Sequence, residues 1–144
     1  MTRFNITLQE GVDFVINCFG KMWGGELFVP KIPSFRITDV AKAVAPECKH
    51  EIIGIRPGEK LHEEMITATD AMNTVEFGEY FAIMPNSNQI EWDKTKFVKT
   101  SDNKPGKHCK EDFSYNSGSN EHFLTVEEIR DLVINHVPNG DSIK

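Results

Sequence analysis

Apolar residues in the first half of the chain recur in patterns that predict alternating strands and helices. Residues 4–8 alternate like a short strand, and Gly24-Gly25 ends a helix that the spacing predicts to be well buried. The apolar positions of this helix are spaced by three or four: Leu8, Val12, Val15, Phe19 and Met22. The next four elements continue the alternation: a strand over 26–29, a helix over 38–44 capped by Thr38 or Asp39, a strand over 51–55 and a helix over 60–66. This order favours α/β packing.

The pattern changes after about residue 70. Residues 80–84 predict a strand, and a capping box of Thr125 and Glu128 opens a final helix. Residues 86–121 are polar and lack periodicity, and a structureless stretch of that length is uncommon inside a compact domain. We therefore expect three segments: an α/β domain over 1–85, a polar arm over 86–121 that is ordered only by docking, and a C-terminal helix and tail over 122–144.

Composition and charge exclude several classes of protein. The 144 residues fit one domain, and 16 Lys and Arg against 22 Asp and Glu give a net charge of −6, which argues against binding nucleic acid. Cys18, Cys48 and Cys109 are far apart and form no CxxC pair, as is typical of reduced thiols in a cytoplasmic protein without a zinc site. The chain has neither a signal-peptide pattern nor an apolar run of membrane-spanning length. We expect a cytoplasmic protein that does not contact the membrane.

The stretch Arg56-Pro57-Gly58-Glu59 is the most informative chemically. A guanidinium offers a planar fork of donors that matches phosphate, and a carboxylate three residues later can accept two hydrogen bonds from a ribose diol. The alternative is an Arg–Glu pair that braces a surface turn, and the five residues from 56 to 60 leave the two readings level. Arg3, taken alone, is an ordinary charged residue near a terminus.

Other polar groups suggest no chemistry. The cluster of Glu59, His62, Glu63 and Glu64 lacks the second histidine of a zinc helix and is interpreted as a solvated face. The chain contains neither a GxxGxxG loop after a strand nor a Tyr-x-x-x-Lys pair. We therefore predict no catalytic, cofactor-binding or metal-binding residue, because acid–base and redox chemistry need such groups.

Three stretches of the sequence resemble one family: residues 1–8, 25–34 and 53–63. The family is that of the inverting UDP-N-acetylglucosamine 4,6-dehydratases, which are extended short-chain dehydrogenases/reductases of polysaccharide and flagellin-glycan biosynthesis. Lys-Ile-Pro-Ser and Arg-Pro-Gly-Glu-Lys-Leu-His-Glu most resemble the branch that begins pseudaminic acid synthesis. The similarity spans almost the whole chain, is specific over 1–67 and is weak over 85–112.

The resemblance implies roles for three residues. Arg3 and Arg56 match arginines that grip the UDP diphosphate, and Glu59 matches the acidic residue that holds the ribose. These three are the predicted substrate-binding residues. The match favours the functional interpretation of the Arg56–Glu59 pair over the surface brace.

The resemblance also implies what this chain lacks. The family reaction oxidises C4 with bound NADP, removes water across C5–C6 and reduces C6, and its cofactor loop and Tyr/Lys pair lie in an N-terminal portion. The chain is similar to roughly the last two-fifths of such an enzyme, so Met1 matches an internal Met, as in a split gene or a remnant. The implied fold is the C-terminal, substrate-binding portion of the α/β enzyme, with the Rossmann half largely missing.

Three functions remain open: a UDP-sugar-binding part of the enzyme, a stand-alone non-catalytic binding or assembly module, and a non-functional truncation. Whether the chain is itself an enzyme is left undecided. Without the Rossmann half, apolar faces should be exposed and should favour association, either as a homo-oligomer, with a homologous subunit or with the missing N-terminal portion. These faces are formed around Phe4, Val15, Phe19, Ile53 and Ile55.

Overall fold

A computed structural model describes residues 1–85, 93 and 95–138 as a mixed α/β protein. The α-helices are α1 (Leu8–Phe19), α2 (Ile37–Val44), α3 (Ala68–Ala71) and α4 (Val126–His136), and Lys96–Val98 form a 3₁₀ helix. The strands are β1 (Thr2–Phe4), β2 (Leu27–Pro30), β3 (Ser34–Arg36), β4 (Glu64–Ile66), β5 (Thr74–Glu76), β6 (Tyr80–Ile83), β7 (Lys107–His108) and β8 (Tyr115–Asn116). None of the helices in these ranges combines the length and the apolar character needed to cross a membrane.

The described residues form two compact units that interleave along the chain. The first unit contains Met1–Thr7, Ile32–Glu63 and the described residues from Asn116 onward, and the second contains Leu8–Lys31 and Glu64–Tyr115. The division of the chain into consecutive segments at residues 85 and 121 stays a prediction.

In the first unit, β1 and β3 pair antiparallel and place Arg3 opposite Phe35. The α2 and α4 helices pack together over a small core of Ala43, Leu124 and Ile129. The predicted capping box of α4 is confirmed, because Thr125 Oγ1 accepts from the N–H of Glu128 and the Glu128 carboxylate accepts from the N–H of Thr125. Each bond satisfies a backbone donor that the first turn of a helix leaves unpaired.

The second unit is built on an antiparallel sheet in the order β2-β6-β5-β7. One cluster of buried side chains forms its core: Val75, Phe77, Tyr80, Ala82, Met84 and Phe97. Phe14 of α1 and Phe28 of β2 pack against that cluster. A separate two-stranded sheet joins β4 and β8.

The predicted helix after residue 8 is confirmed, but its predicted burial is wrong. No residue of α1 is buried, and Leu8 and Phe19 are 87% and 71% exposed. Phe14 is the α1 residue that packs on the core of the second unit, so the apolar stripe is wider than the surface that covers it. The expectation of exposed apolar residues is confirmed for Val15, Phe19, Ile53 and Ile55, whereas Phe4 is half-buried.

Three predictions for residues 38–66 are wrong. Residues 51–55 form no strand, because Gly54 at φ +83° interrupts an extended path and β-branched residues need a partner strand as well as propensity. Residues 60–66 form no helix, since Glu64–Ile66 are the strand β4. Neither Thr38 nor Asp39 caps α2, because its N-cap is Arg36, which makes no side-chain cap bond.

The predicted polar arm is ordered in its described part. Residues 95–121 contain the 3₁₀ helix, β7 and β8, and β7 extends the sheet of the second unit beside β5. The indole Nε1 of Trp23 donates to the carbonyl of Lys99 at 2.8 Å, which ties this part to the segment between α1 and β2. Residues 86–92, Trp92 among them, and residue 94 lie outside the described residues.

Candidate functional site

The Arg56–Glu59 stretch forms a tight turn that closes on its own backbone. The N–H of Glu59 donates to the carbonyl of Arg56 at 3.1 Å, and the N–H of Arg56 donates to Oε2 of Glu59 at 2.9 Å. Pro57 suits the second position of such a turn, and Gly58 has φ +85°, a left-handed conformation that favours glycine. Pro57 and Gly58 therefore fix the backbone between the two candidate side chains.

The side chains of this turn remain accessible to a ligand. Arg56 and Glu59 are both exposed, and no ion pair in the described part of the chain involves Arg56. The Glu59 carboxylate accepts from the backbone N–H of Arg56, so Glu59 braces the turn without engaging the guanidinium. Five donors of one arginine and one carboxylate oxygen of Glu59 are left to meet a ligand.

Arg3 is held more firmly than Arg56. Its Nη1 donates to the carbonyl of Thr2 at 2.6 Å, and its Nε lies 3.6 Å from Oε1 of Glu63. The side chain is 24% exposed. The guanidinium is therefore folded along β1, with one edge on the protein and the remainder reachable from solvent.

A polar network, which we call the Arg3 clasp, connects Thr2, His62, Glu63 and Ser117. Thr2 Oγ1 lies 2.8 Å from His62 Nδ1 and 2.7 Å from Ser117 Oγ. Ser117 Oγ accepts from the N–H of Glu63 at 2.9 Å, and Glu63 Oε2 accepts from the N–H of Phe4 at 2.9 Å. Thr2 and Ser117 are buried, so these hydroxyl groups satisfy each other inside the first unit.

The three predicted substrate-binding residues all lie in the first unit. The N–H of Thr2 donates to the carbonyl of Leu61, so β1 runs beside the segment that follows Glu59. Arg3 contacts Thr2 and Glu63, and Arg56 contacts Glu59, so these hydrogen bonds and ion pairs of the described residues do not join the two arginines. The structure brings Arg56 and Glu59 together and places Arg3 against Glu63.

The Arg3 clasp was missed from sequence, and the reading of Glu63 as part of a solvated face is wrong. Glu63 is half-buried and bonds to β1. Its partners Ser117 and Phe4 lie 54 and 59 residues away, and local periodicity carries no signal for contacts over such separations.

Two cysteine thiols of the second unit have pKa values that are raised by burial. Burial raises the pKa of Cys109 to about 11 and also raises the pKa of Cys18. These thiols are therefore protonated at neutral pH and poor nucleophiles. Within the ranges that the structure describes, no three His, Cys, Asp or Glu side chains gather closely enough to hold a metal ion.

Comparison with known proteins identifies the family of the chain. The model of a family described as "Polysaccharide biosynthesis protein" matches residues 1–85, which contain Arg3, Arg56 and Glu59. The chain belongs to this family. The match covers more than half of the chain.

Curated relatives agree with the family and add detail. The chain is 46% identical over 136 residues to the UDP-N-acetylglucosamine 4,6-dehydratase (inverting) of Campylobacter jejuni serotype O:2, covering 94% of this chain and 40% of that protein. It is 28% identical over 139 residues to the UDP-glucose 4-epimerase of Rickettsia bellii, covering 94% of this chain and 39% of the epimerase. The resemblance to the inverting dehydratases is confirmed. The chain spans about 40% of the length of the curated relatives it matches.

A solved structure matches the fold. The chain superposes on Pen from Bacillus thuringiensis with a TM-score of 0.66 at 26% identity, covering 94% of this chain and 38% of that one. The mixed α/β fold of a partial extended short-chain dehydrogenase/reductase is therefore confirmed.

Proposed function

We propose that this chain is the UDP-sugar-binding part of an inverting UDP-N-acetylglucosamine 4,6-dehydratase in surface polysaccharide or flagellin-glycan biosynthesis. The observation that carries the proposal is the Arg56–Glu59 turn, whose backbone is fixed while its guanidinium faces solvent. Such a turn offers a rigid base for a planar, bidentate contact with a phosphate group. The chain's net charge is −6, so local placement of arginine, and not a global field, attracts the anion.

The three residues have distinct tasks in this proposal. Arg56 and Arg3 bind the diphosphate, and the carboxylate oxygen of Glu59 that is not bonded to Arg56 accepts from the ribose diol. Glu59 Oε2 stays with the turn, so binding of the ribose does not require the turn to open. Half of the pocket lies outside this chain, and we expect weak affinity for UDP by the chain alone.

The wider reaction is proposed from the relatives and not from this chain's residues. NADP would supply the hydride chemistry of the intact enzyme, but the chain contributes neither a Gly-rich loop nor a Tyr/Lys pair to hold or use it. What the chain itself contributes is binding and orientation of the nucleotide. Pseudaminic acid synthesis and a cytoplasmic location are the proposed setting.

A partner is expected on the apolar surface of α1. Leu8, Val15, Ile16 and Phe19 are exposed along this helix, and the relatives are about two and a half times as long as the matched region. We propose that the Rossmann portion of the longer enzyme covers this helix, and that a homologous subunit or a second copy does so when that portion is absent. Burial of apolar surface, which contributes about 25 cal/mol per Å², drives such an association.

Binding is tested by calorimetric titration of the chain with UDP. Arg56→Ala should weaken binding about tenfold or more, since a charged hydrogen bond is worth about 1.5–3 kcal/mol. Lys60→Ala is the matched control, because it removes one exposed positive charge beside the turn without touching the proposed contacts. Equal affinity of wild type and Arg56→Ala for UDP would refute the role of Arg56.

One assay tests the absence of catalytic groups, and a second observation separates the three functions. Incubation of the chain with UDP-N-acetylglucosamine and NADP should give no 4-keto product, and turnover by the chain alone would contradict the absence of catalytic groups. A Gly-rich loop and a Tyr-x-x-x-Lys pair encoded in the same frame upstream would favour the enzyme part over a stand-alone module or a truncation.

A further inference from the structure

Glu63 lies where it can set the position of Arg3. One of its carboxylate oxygens, Oε2, accepts from the N–H of Phe4 at 2.9 Å, and the other, Oε1, lies 3.6 Å from Nε of Arg3. Because the N–H of Phe4 fixes Oε2, the other oxygen, Oε1, is directed at the guanidinium of Arg3.

The backbone of Glu63 is fixed in turn by a buried serine. The N–H of Glu63 donates to Ser117 Oγ at 2.9 Å, and the N–H of Ser117 donates to the carbonyl of Glu63 at 2.7 Å. Ser117 is fully buried and its hydroxyl also contacts Thr2 Oγ1. Arg3 therefore lies between two residues that are linked to Glu63. Phe4 bonds to Glu63 directly, and Thr2 is linked to it through Ser117.

We propose that Glu63 is a positioning residue for the nucleotide-binding role of Arg3, an inference that rests on the proposed function. Arginine loses much rotamer freedom when it binds a ligand, and a side chain already held in place loses less. Glu63 holds the Nε edge of Arg3 and Thr2 holds Nη1, so the outer edge is presented to an anion before the anion arrives.

A carboxylate near a diphosphate also repels it, and the two effects have opposite signs. If Glu63 only repelled the ligand, its neutralisation would strengthen UDP binding. If it positions Arg3, its neutralisation weakens binding. The direction of the change therefore separates the two roles.

The test is a double-mutant cycle on the 144-residue chain, with UDP as the titrant in a calorimeter at low salt. Glu63→Gln keeps an oxygen that can accept from Phe4 and removes the charge that holds Arg3. We expect it to weaken UDP binding about fivefold, the upper range for a partly exposed ion pair. Glu64→Gln is the matched control, because Glu64 is exposed and its side chain bonds to none of the described residues. It should leave UDP affinity unchanged.

The cycle also includes Arg3→Ala, alone and combined with Glu63→Gln. We expect Arg3→Ala to weaken binding and the added Glu63→Gln to change it no further, because Glu63 acts through Arg3. An equal fivefold loss with and without Arg3 would show that Glu63 supports only the fold, and unchanged or tighter binding by Glu63→Gln would also overturn the inference. If Arg3→Ala itself leaves UDP affinity unchanged, the proposed role of Arg3 fails, which is a distinct result.

Discussion

Replacing Tyr80 with phenylalanine removes one oxygen atom from the core of the second unit. Tyr80 is 5% exposed, and its ring lies 5.0 Å from the ring of Phe77 at an interplanar angle of 21°. Its hydroxyl is buried and bonds to no residue in the described ranges. Phenylalanine keeps the ring contacts with Phe77, Phe28 and Phe14.

The size of the effect follows from the hydroxyl alone. A buried polar group without a hydrogen-bond partner costs about 1–3 kcal/mol, so we expect Tyr80→Phe to raise the free energy of unfolding by about 1 kcal/mol at pH 7. Burial also raises the pKa of Tyr80 from 10.0 to about 12. The folded state favours the protonated phenol. The part of the free energy of unfolding that comes from this preference is therefore present below pH 10 and is lost as the pH rises to about 12.

The measurement is urea denaturation of wild type and variant at pH 7 and at intervals between pH 9 and 12. The difference in the free energy of unfolding between Tyr80→Phe and wild type should grow between pH 10 and about 12. The pKa of Cys109 is raised from 9.0 to about 11, so its ionisation should lower the free energy of unfolding of both proteins alike. A loss of 1 kcal/mol or more at pH 7 would mean that the hydroxyl is hydrogen-bonded, and the reasoning would fail. Parallel pH curves would show that Tyr80 does not titrate in this range.

Three further substitutions or modifications test other parts of the structure. Thr125→Ala should lower the free energy of unfolding by about 1 kcal/mol in urea denaturation, because it removes the capping hydroxyl of α4; an unchanged midpoint would contradict the cap. Gly118→Ala would bring a Cβ within 2.5 Å of the His62 ring, so we expect the ring to leave Thr2, seen as a shift of the His62 signals in NMR spectra. Unmoved His62 signals would refute that packing. Thiol labelling with Ellman's reagent at pH 8 should modify exposed Cys48 well before Cys109, whose pKa burial raises to about 11, and the reverse order would contradict the burial of Cys109.

Local sequence patterns predicted the elements that depend on residues close together in the chain. The periodicity after Leu8, the apolar run at 80–84 and the box at Thr125 and Glu128 correspond to α1, β6 and α4. The β-branched residues at 51–55 led to a wrong prediction of a strand. Strand propensity carries no information on whether a partner strand is present, and none pairs with these residues in the described structure, where Gly54 also turns the chain.

The candidate site divides in the same way. Arg56 and Glu59 stand three residues apart, and their turn is readable from the Pro-Gly pair between them. The proposed role of Arg3 rests on family resemblance, and the contact of Glu63 with β1 joins residues 59 apart in sequence. Contacts of that range depend on how the first unit folds and leave no periodic trace in the sequence.

The central claim is that the diphosphate of UDP is bound by Arg56, and a comparison of UDP with uridine tests it most directly. Both ligands are titrated into wild type and Arg56→Ala by calorimetry. We predict that wild type binds UDP at least about tenfold more tightly than uridine and that Arg56→Ala removes most of this preference. A preference for UDP that is the same in both proteins, or no preference in wild type, would contradict the account.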